Sequence, residues 1–206
     1  MSDLNNILAL IDVAKSHLQR GEAHQGVIGD EIAHVLGLLQ TVPPLDGVFS
    51  PNTHPLTRHL EAAFGAGSPA TADLIAAIRP VASILPWTYG YKKRDDFPGL
   101  ENAMGWAEII GPEAPFRSQS VCLGLTLIGP ETLYPAHAHP AVELYYVIAG
   151  NAQWTAAGVT HANPPGAFIL HPSEVIHSMK TGGEPLLALY TWSGTDVKTT
   201  SYFTHE

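Results

Sequence analysis

A chain of 206 residues suits one domain, or one domain with a substantial extension, and can bury a real core without disulfide staples. Its single cysteine, Cys122, rules out an intramolecular disulfide. Ten Lys and Arg against nineteen Asp and Glu give a formal net charge of -9, which argues against a nucleic-acid partner, since that would want a basic footprint.

The N-terminus, MSDLNNILALIDVAKSHLQR, lacks the basic start and small-residue cleavage site of a secretory signal. No stretch approaches the ~20 apolar residues of a membrane-spanning helix, so a soluble, cytoplasmic protein without a membrane partner is expected. Within that opening, Leu4, Ile7, Leu8, Ile11, Ala14 and Leu18 recur at steps of three and four. The spacing predicts a helix, capped by Ser2 or Asp3 and stopped by Gly21. A second helix is predicted from about Ile28 to Leu39, gathering Ile32, Val35, Leu36 and Leu39. TVPPLDGVFSPN follows, a loop by its Pro and Gly content. Two short helices are then expected, near Pro55 to Phe64 and Pro69 to Ile78. The second opens on Ser68-Pro69, a cap followed by proline at the first helical position.

From about Trp87 the pattern changes. The runs WTYGY, GWAEII, SVCLGLTLIG, VELYYVIAG, AQWTAA, AFIL and LLALYTW are rich in β-branched and aromatic residues and punctuated by Gly and Pro. Many short strands with turn signals predict a mainly β fold, a sandwich or barrel, not an alternating α/β sheet. The expected architecture is a helical cover, residues 1–85, packed on a β-barrel, residues 86–206, as one compact unit. Four short helices make a poor independent core. The cover is expected to bury its apolar stripe on the barrel and to help exclude water from it. Cys122, inside VCLGLTLIG, reads as a small buried hydrophobe.

The chemistry concentrates in YPAHAHPAVELYYVIAG, residues 134 to 150. In an extended strand, alternate side chains share a face. His137, His139, Glu143 and Tyr145 have the same parity, so a strand tolerating a bend at Pro140 would send all four one way. Two imidazoles and a carboxylate on one face suit a divalent Zn, Fe, Mn, Ni or Co ion. A further ligand must come from elsewhere, and His171 and His177, in PPGAFILHPSEVIHSMKT, are the candidates.

This pattern resembles the cupin superfamily, whose fold is a double-stranded β-helix (jelly-roll) barrel. His137-Ala-His139, Glu143 and Gly150 match the spacing of its first motif. Pro164-Pro165-Gly166, Pro172 and His177 match the order of its second. The resemblance covers about residues 120 to 195. His171 departs from the pattern as an additional histidine, and it and His161 read as solvent or loop histidines. Four polar ligand positions facing a barrel interior with no ion would cost several kcal/mol of unpaired burial, so one metal ion is expected.

Within the cupins, Tyr134-x-x-His137-x-His139-x-x-x-Glu143-x-Tyr145 resembles the dimethylsulfoniopropionate (DMSP) lyases, the DddQ type in particular, as do the helical N-terminal part and the chain length. The resemblance implies metal ligands at His139, Glu143, Tyr145 and His177, and pocket residues at Tyr134, His137 and Trp192. It implies cleavage of DMSP to dimethyl sulfide and acrylate. In that reaction a base takes the proton α to the carboxylate, and Tyr145, or else Tyr134, is the candidate base. The sulfonium end wants aromatic walls, for which Trp192, Tyr190 and Trp106 are candidates; Tyr146, of opposite parity, is structural. Two other readings stay open. One is another metal-dependent cupin enzyme, such as a non-haem iron dioxygenase. The other is a cupin that binds a small carboxylate without catalysis.

Overall fold

The computed structural model describes residues 2–50 and 53–204, so Pro51 and Asn52 of the proline-rich loop lie outside the described residues. Helices come first: α1 (Asp3–Gly21), α2 (Val27–Leu39), a 3-10 turn (Pro55–His59) running into α3 (Leu60–Gly65), and α4 (Ala72–Ile78). Strands β1 (Trp87–Thr88), β2 (Met104–Gly111), β3 (Phe116–Arg117), β4 (Val121–Ile128), β5 (Leu133–Ala138) and β6 (Val142–Ala149) follow, with α5 (Leu100–Ala103) before β2. Then come β7 (Ala152–Ala156), β8 (Val159–Asn163), β9 (Phe168–His171), β10 (His177–Lys180), β11 (Leu186–Ser193) and β12 (Tyr202–Phe203). No described helix is long and apolar enough to cross a membrane.

The strands form two sheets, as the cupin resemblance implies. One orders β1-β2-β4-β11-β6-β9, with β3 on β2, and the other β12-β5-β10-β7-β8. Apart from β3 on β2, the strand pairs are antiparallel. The larger sheet is buried on both faces, which is why β4 reads as an unbroken hydrophobic run with every residue buried. One face, with Leu123, Leu125, Leu127, Leu144, Tyr146, Ile148, Leu187 and Leu189, shares a single core with Ile7, Leu10, Leu18, Ile32, Val35 and Leu74 of the helices. The other, with Cys122, Tyr145, Val147, Ala188 and Tyr190, meets Tyr134, Trp154 and Met179 of the smaller sheet.

Two helical expectations shift. The buried face of α1 is Ile7, Leu10, Ile11, Ala14, His17, Leu18 and Gly21, while Leu4 and Leu8 stand 40 and 41% exposed. The stripe is rotated toward His17, whose ring is satisfied on both sides: Nδ1 lies 2.9 Å from Tyr146 Oη and Nε2 2.7 Å from Asp73 Oδ1. A polar residue whose polar atoms are both partnered can join a core face that hydropathy alone would not give it. The Ser2 cap forms as expected, accepting from the Asn5 amide. Helix α4 begins at Ala72 and not at Pro69, because Ser68 to Thr71 close a separate turn, Thr71 N donating to Ser68 O. Thr71 Oγ1 instead donates to Ile148 O at 2.7 Å, tying that turn to β6.

Candidate active site

The sequence stretch 134–150 is not one bent strand. β5 belongs to the smaller sheet and β6 to the larger, and His139 to Ala141 cross between them. His137 and Glu143 thus reach one interior from facing sheets. Across the larger sheet Trp192, Glu143 and His171 stand abreast. Opposite them His177 pairs with His137. The β10–β5 register then slips by one residue, His177 pairing with His137 but Met179 with Tyr134. That bulge turns Tyr134 onto the face of His137 despite their odd spacing, and the two rings stack at 3.8 Å and 14°.

One ligand atom each from His139, Glu143 and His177 lie within 4.8 Å of one another, and all three residues are buried. Their donors are already aimed. His139 Nδ1 lies 2.9 Å from Ala141 O, and His177 Nδ1 2.8 Å from Val175 O. Carbonyls accept only, so each Nδ1 carries the proton and Nε2 is left facing Glu143, at 3.0 Å from His139 and 3.3 Å from His177. The His177 Nε2 has no hydrogen-bond partner. Backbone carbonyls that fix the ring tautomer are the usual outer support of a histidine metal ligand. This donor set fits a divalent transition ion, and the orphaned nitrogen is what such an ion would satisfy.

Burial opposes charge on Glu143, but His139 beside it, with His171 and His177, holds its carboxyl well below the usual carboxylate range. Reciprocally, burial lowers His139 while Glu143 outweighs it and raises the imidazole. His137 is pushed well below its ordinary value by burial and by His177, so it is neutral, with Nδ1 2.8 Å from Pro135 O. The Trp192 indole N–H donates to Glu143 Oε1 at 2.7 Å and its ring lies 4.6 Å from that of His139. Trp192 therefore also orients the carboxylate, a role its place in the strand did not suggest.

His171 overturns its expectation. It is 1% exposed, stacks on His177 at 3.9 Å, and holds Nδ1 3.6 Å from Glu143 Oε2. Neither ring nitrogen has a hydrogen-bond partner. Its position just before Pro172 resembles a loop, but β9 extends through it and pairs it with Glu143. His161, by contrast, is exposed on β8.

A cavity of about 310 Å³ opens from this cluster, lined among others by Glu143, Tyr145, Tyr134, Tyr190, Trp192 and Trp106. Its lining begins at Pro86, so the helical region walls none of it directly; the helices cover the opposite face of the larger sheet. Tyr145 lies beside Glu143 and Thr126, and burial together with the Glu143 charge holds its phenol well above its ordinary value. Tyr134 is held high by burial and by its neighbours Tyr91 and Tyr145. Its hydroxyl is hydrogen-bonded to that of Tyr91. Sequence reasoning missed Tyr91: it follows Gly90 at φ 70°, beyond the end of β1, where no strand parity aims it.

The DMSP lyase family model, described as dimethylsulfoniopropionate lyase, matches residues 31–188. DddL of Cereibacter sphaeroides, named for dimethylsulfoniopropionate lyase activity, is 32% identical over 163 residues, 78% of this chain and 68% of that protein. A chain from the crystal structures of the DMSP lyases RdDddP and RnDddQII superposes with a TM-score of 0.80 at 26% identity, covering 99% of this chain and 100% of that one. The crystal structure of the DMSP lyase DddQ from Ruegeria pomeroyi superposes with a TM-score of 0.77 at 25% identity, over 97% and 96% of the two chains.

Proposed function

This chain belongs to the dimethylsulfoniopropionate lyase family, and from that premise we propose that it is a metal-dependent carbon–sulfur lyase, cleaving DMSP to dimethyl sulfide and acrylate. The observation that carries the proposal is the convergence of His139, Glu143 and His177, with tautomers set by backbone carbonyls, where Glu143 lines a cavity that two buried tyrosines also line.

DMSP carries a carboxylate at one end and a sulfonium on the β-carbon. A base removes the α-proton, that electron pair becomes the C=C bond of acrylate, and the C–S bond breaks with its pair on sulfur, which leaves neutral. Proton removal is the difficult step, because charge builds beside a group already anionic. A divalent ion held by His139, Glu143 and His177, with Tyr145 as further ligand, would supply positive charge for the substrate carboxylate and for a tyrosinate.

Tyr145 is the proposed base. Its phenol adjoins Glu143 and faces the cavity, so a carboxylate-anchored substrate presents its α-carbon to it. Tyr134 is the rival, in the same cavity and backed by Tyr91. Tyr134, His137 and Trp192 are the proposed substrate-side contacts: Tyr134 and Trp192 line the cavity, and His137 backs Tyr134 by stacking. Mixing the metal-replete protein with DMSP and measuring headspace dimethyl sulfide by gas chromatography tests the proposal. Equal amounts of dimethyl sulfide and acrylate are expected. No dimethyl sulfide, with oxygen uptake by iron-loaded protein, would move the assignment to an oxygenase on the same barrel.

A further inference from the structure

The cavity has a second pole. Glu108, on β2, lines it as well, three strand spacings from Glu143 across β2-β4-β11-β6, or roughly 14 Å between backbones. The register places Glu108 opposite Gly124, Gly124 opposite Tyr190, and Tyr190 opposite Tyr145. One row on the inner face of the sheet thus runs from the base candidate, through an aromatic ring, to a carboxylate. Two glycines clear the space for it. A Cβ at Gly124 would fall 2.6 Å from the Tyr190 ring, and one at Gly111 would collide with the Glu108 carboxylate.

Among the described residues, no cationic group pairs with Glu108. The groups bonded to its carboxylate, the Cys122 thiol and the Glu113 amide, are neutral, and the thiol also lies 3.5 Å from Val197 O. Lys198 lines the same cavity, but it is 70% exposed at the rim and sits 3.8 Å from Glu113. Burial, against those two hydrogen bonds, leaves the Glu108 carboxyl pushed up to about 7. A glutamine would satisfy the thiol and the amide equally well, so hydrogen bonding alone gives no reason for an acid here. An incompletely solvated carboxylate in an aromatic wall is costly unless a cation meets it.

We propose that Glu108 is the counter-charge for the onium end of a zwitterionic substrate, whose carboxylate end lies at the His139–Glu143–His177 pole. This rests on the lyase reading and sharpens it. The cavity selects small molecules with a carboxylate at one end and a sulfonium or quaternary ammonium at the other. Tyr190 and Trp106 offer ring faces along the way, which favour a soft, weakly hydrated cation over a hydrated ammonium. Simple carboxylates of the same shape lack the second contact and are discriminated against.

The test uses the full-length, metal-loaded protein and two probes of the same shape. They are 3-(trimethylammonio)propanoate and the isostere 4,4-dimethylpentanoate, in which carbon replaces the cationic nitrogen. Calorimetric titration of the native protein is expected to favour the cationic probe by roughly tenfold or more. In Glu108→Gln that preference collapses toward unity, and the KM for DMSP rises by a similar factor while kcat changes little. Glu108→Asp against Glu108→Asn repeats the charge comparison at a shorter length should the glutamine variant not fold. An unaltered preference in the neutral variants, or no preference in the native protein, overturns the proposal. The two readings fail separately. Dimethyl sulfide release with no Glu108 effect leaves the lyase and removes this site. A Glu108-dependent preference without dimethyl sulfide keeps the site and removes the lyase.

Discussion

Tyr145 and Tyr146 are neighbours on β6, and the two faces of one sheet give them opposite tasks. Tyr146 points outward, into a core shared with the helices, where its hydroxyl meets His17 and through it Asp73. Tyr145 points inward, beside Glu143 and into the cavity. The outer face is mostly aliphatic, and His17 and Tyr146 on it are paired. The inner face turns Glu143 and His171 toward His139, which comes from the crossing segment, and His177, which comes from the facing sheet, with ring nitrogens of His171 and His177 left unpartnered. Unpaired buried polar atoms cost stability, so the inner face is tolerable because the outer one is fully packed. The sheet divides the labour: folding energy is concentrated on one side and chemistry on the other.

Removing the outer partner is the most drastic way to break that division. Deleting residues 1–85 would expose Leu123, Leu125, Leu127, Leu144 and Ile148 together, and the barrel is expected to aggregate. Size-exclusion chromatography and circular dichroism would check this; a soluble, stable and active truncated barrel would make the helical region a dispensable appendage.

Changes on the inner face should act on chemistry instead. Replacing His139, Glu143 or His177 by Ala is expected to remove most of about one bound transition ion per chain, measured by elemental analysis, and to abolish turnover with little loss of secondary structure. Full metal content in all three variants would remove the assignment of the centre.

A subtler inner-face change separates base from ligand. Tyr145→Phe should retain metal and substrate binding while turnover falls by roughly 10²–10⁴, the usual worth of a positioned general base. Tyr134→Phe is the comparison, followed by the same headspace assay. Should Tyr134→Phe be dead and Tyr145→Phe near normal, the two roles are reversed. Should both work, the proton goes elsewhere, His137 being the next group to test.

The smallest effect is expected one residue along. Tyr146→Phe leaves the His17 Nδ1 unpaired in the core and should destabilise the fold by about 1–3 kcal/mol, read from denaturant unfolding, with turnover unchanged. A loss of turnover in Tyr146→Phe at intact stability would show that the two faces are coupled through β6.

Much of this was legible in the chain by itself, for a physical reason. Periodicity is a short-range property, so the helices over 3–21 and 27–39 and the long strands β2, β4, β6 and β11 emerge from spacing within a few residues. The gathering of His139, Glu143 and His177 was likewise foreshadowed by motif spacing. The two-residue strands β3 and β12 are too short to show a period, and β8, the exposed and mostly polar VTHAN, carries no apolar pattern; each exists because a neighbour pairs with it.

Side-chain partners across the barrel were decided by tertiary structure alone. His171 enters the cluster because β9 pairs with β6. Tyr134 faces His137 because a bulge slips the register of β5 on β10. Tyr91 reaches Tyr134, and Trp192 reaches Glu143, across 43 and 49 residues of chain respectively. Local sequence sets which way a side chain points relative to its own strand, whereas what it meets depends on which strands pair and in what register, a choice made by the whole core at once.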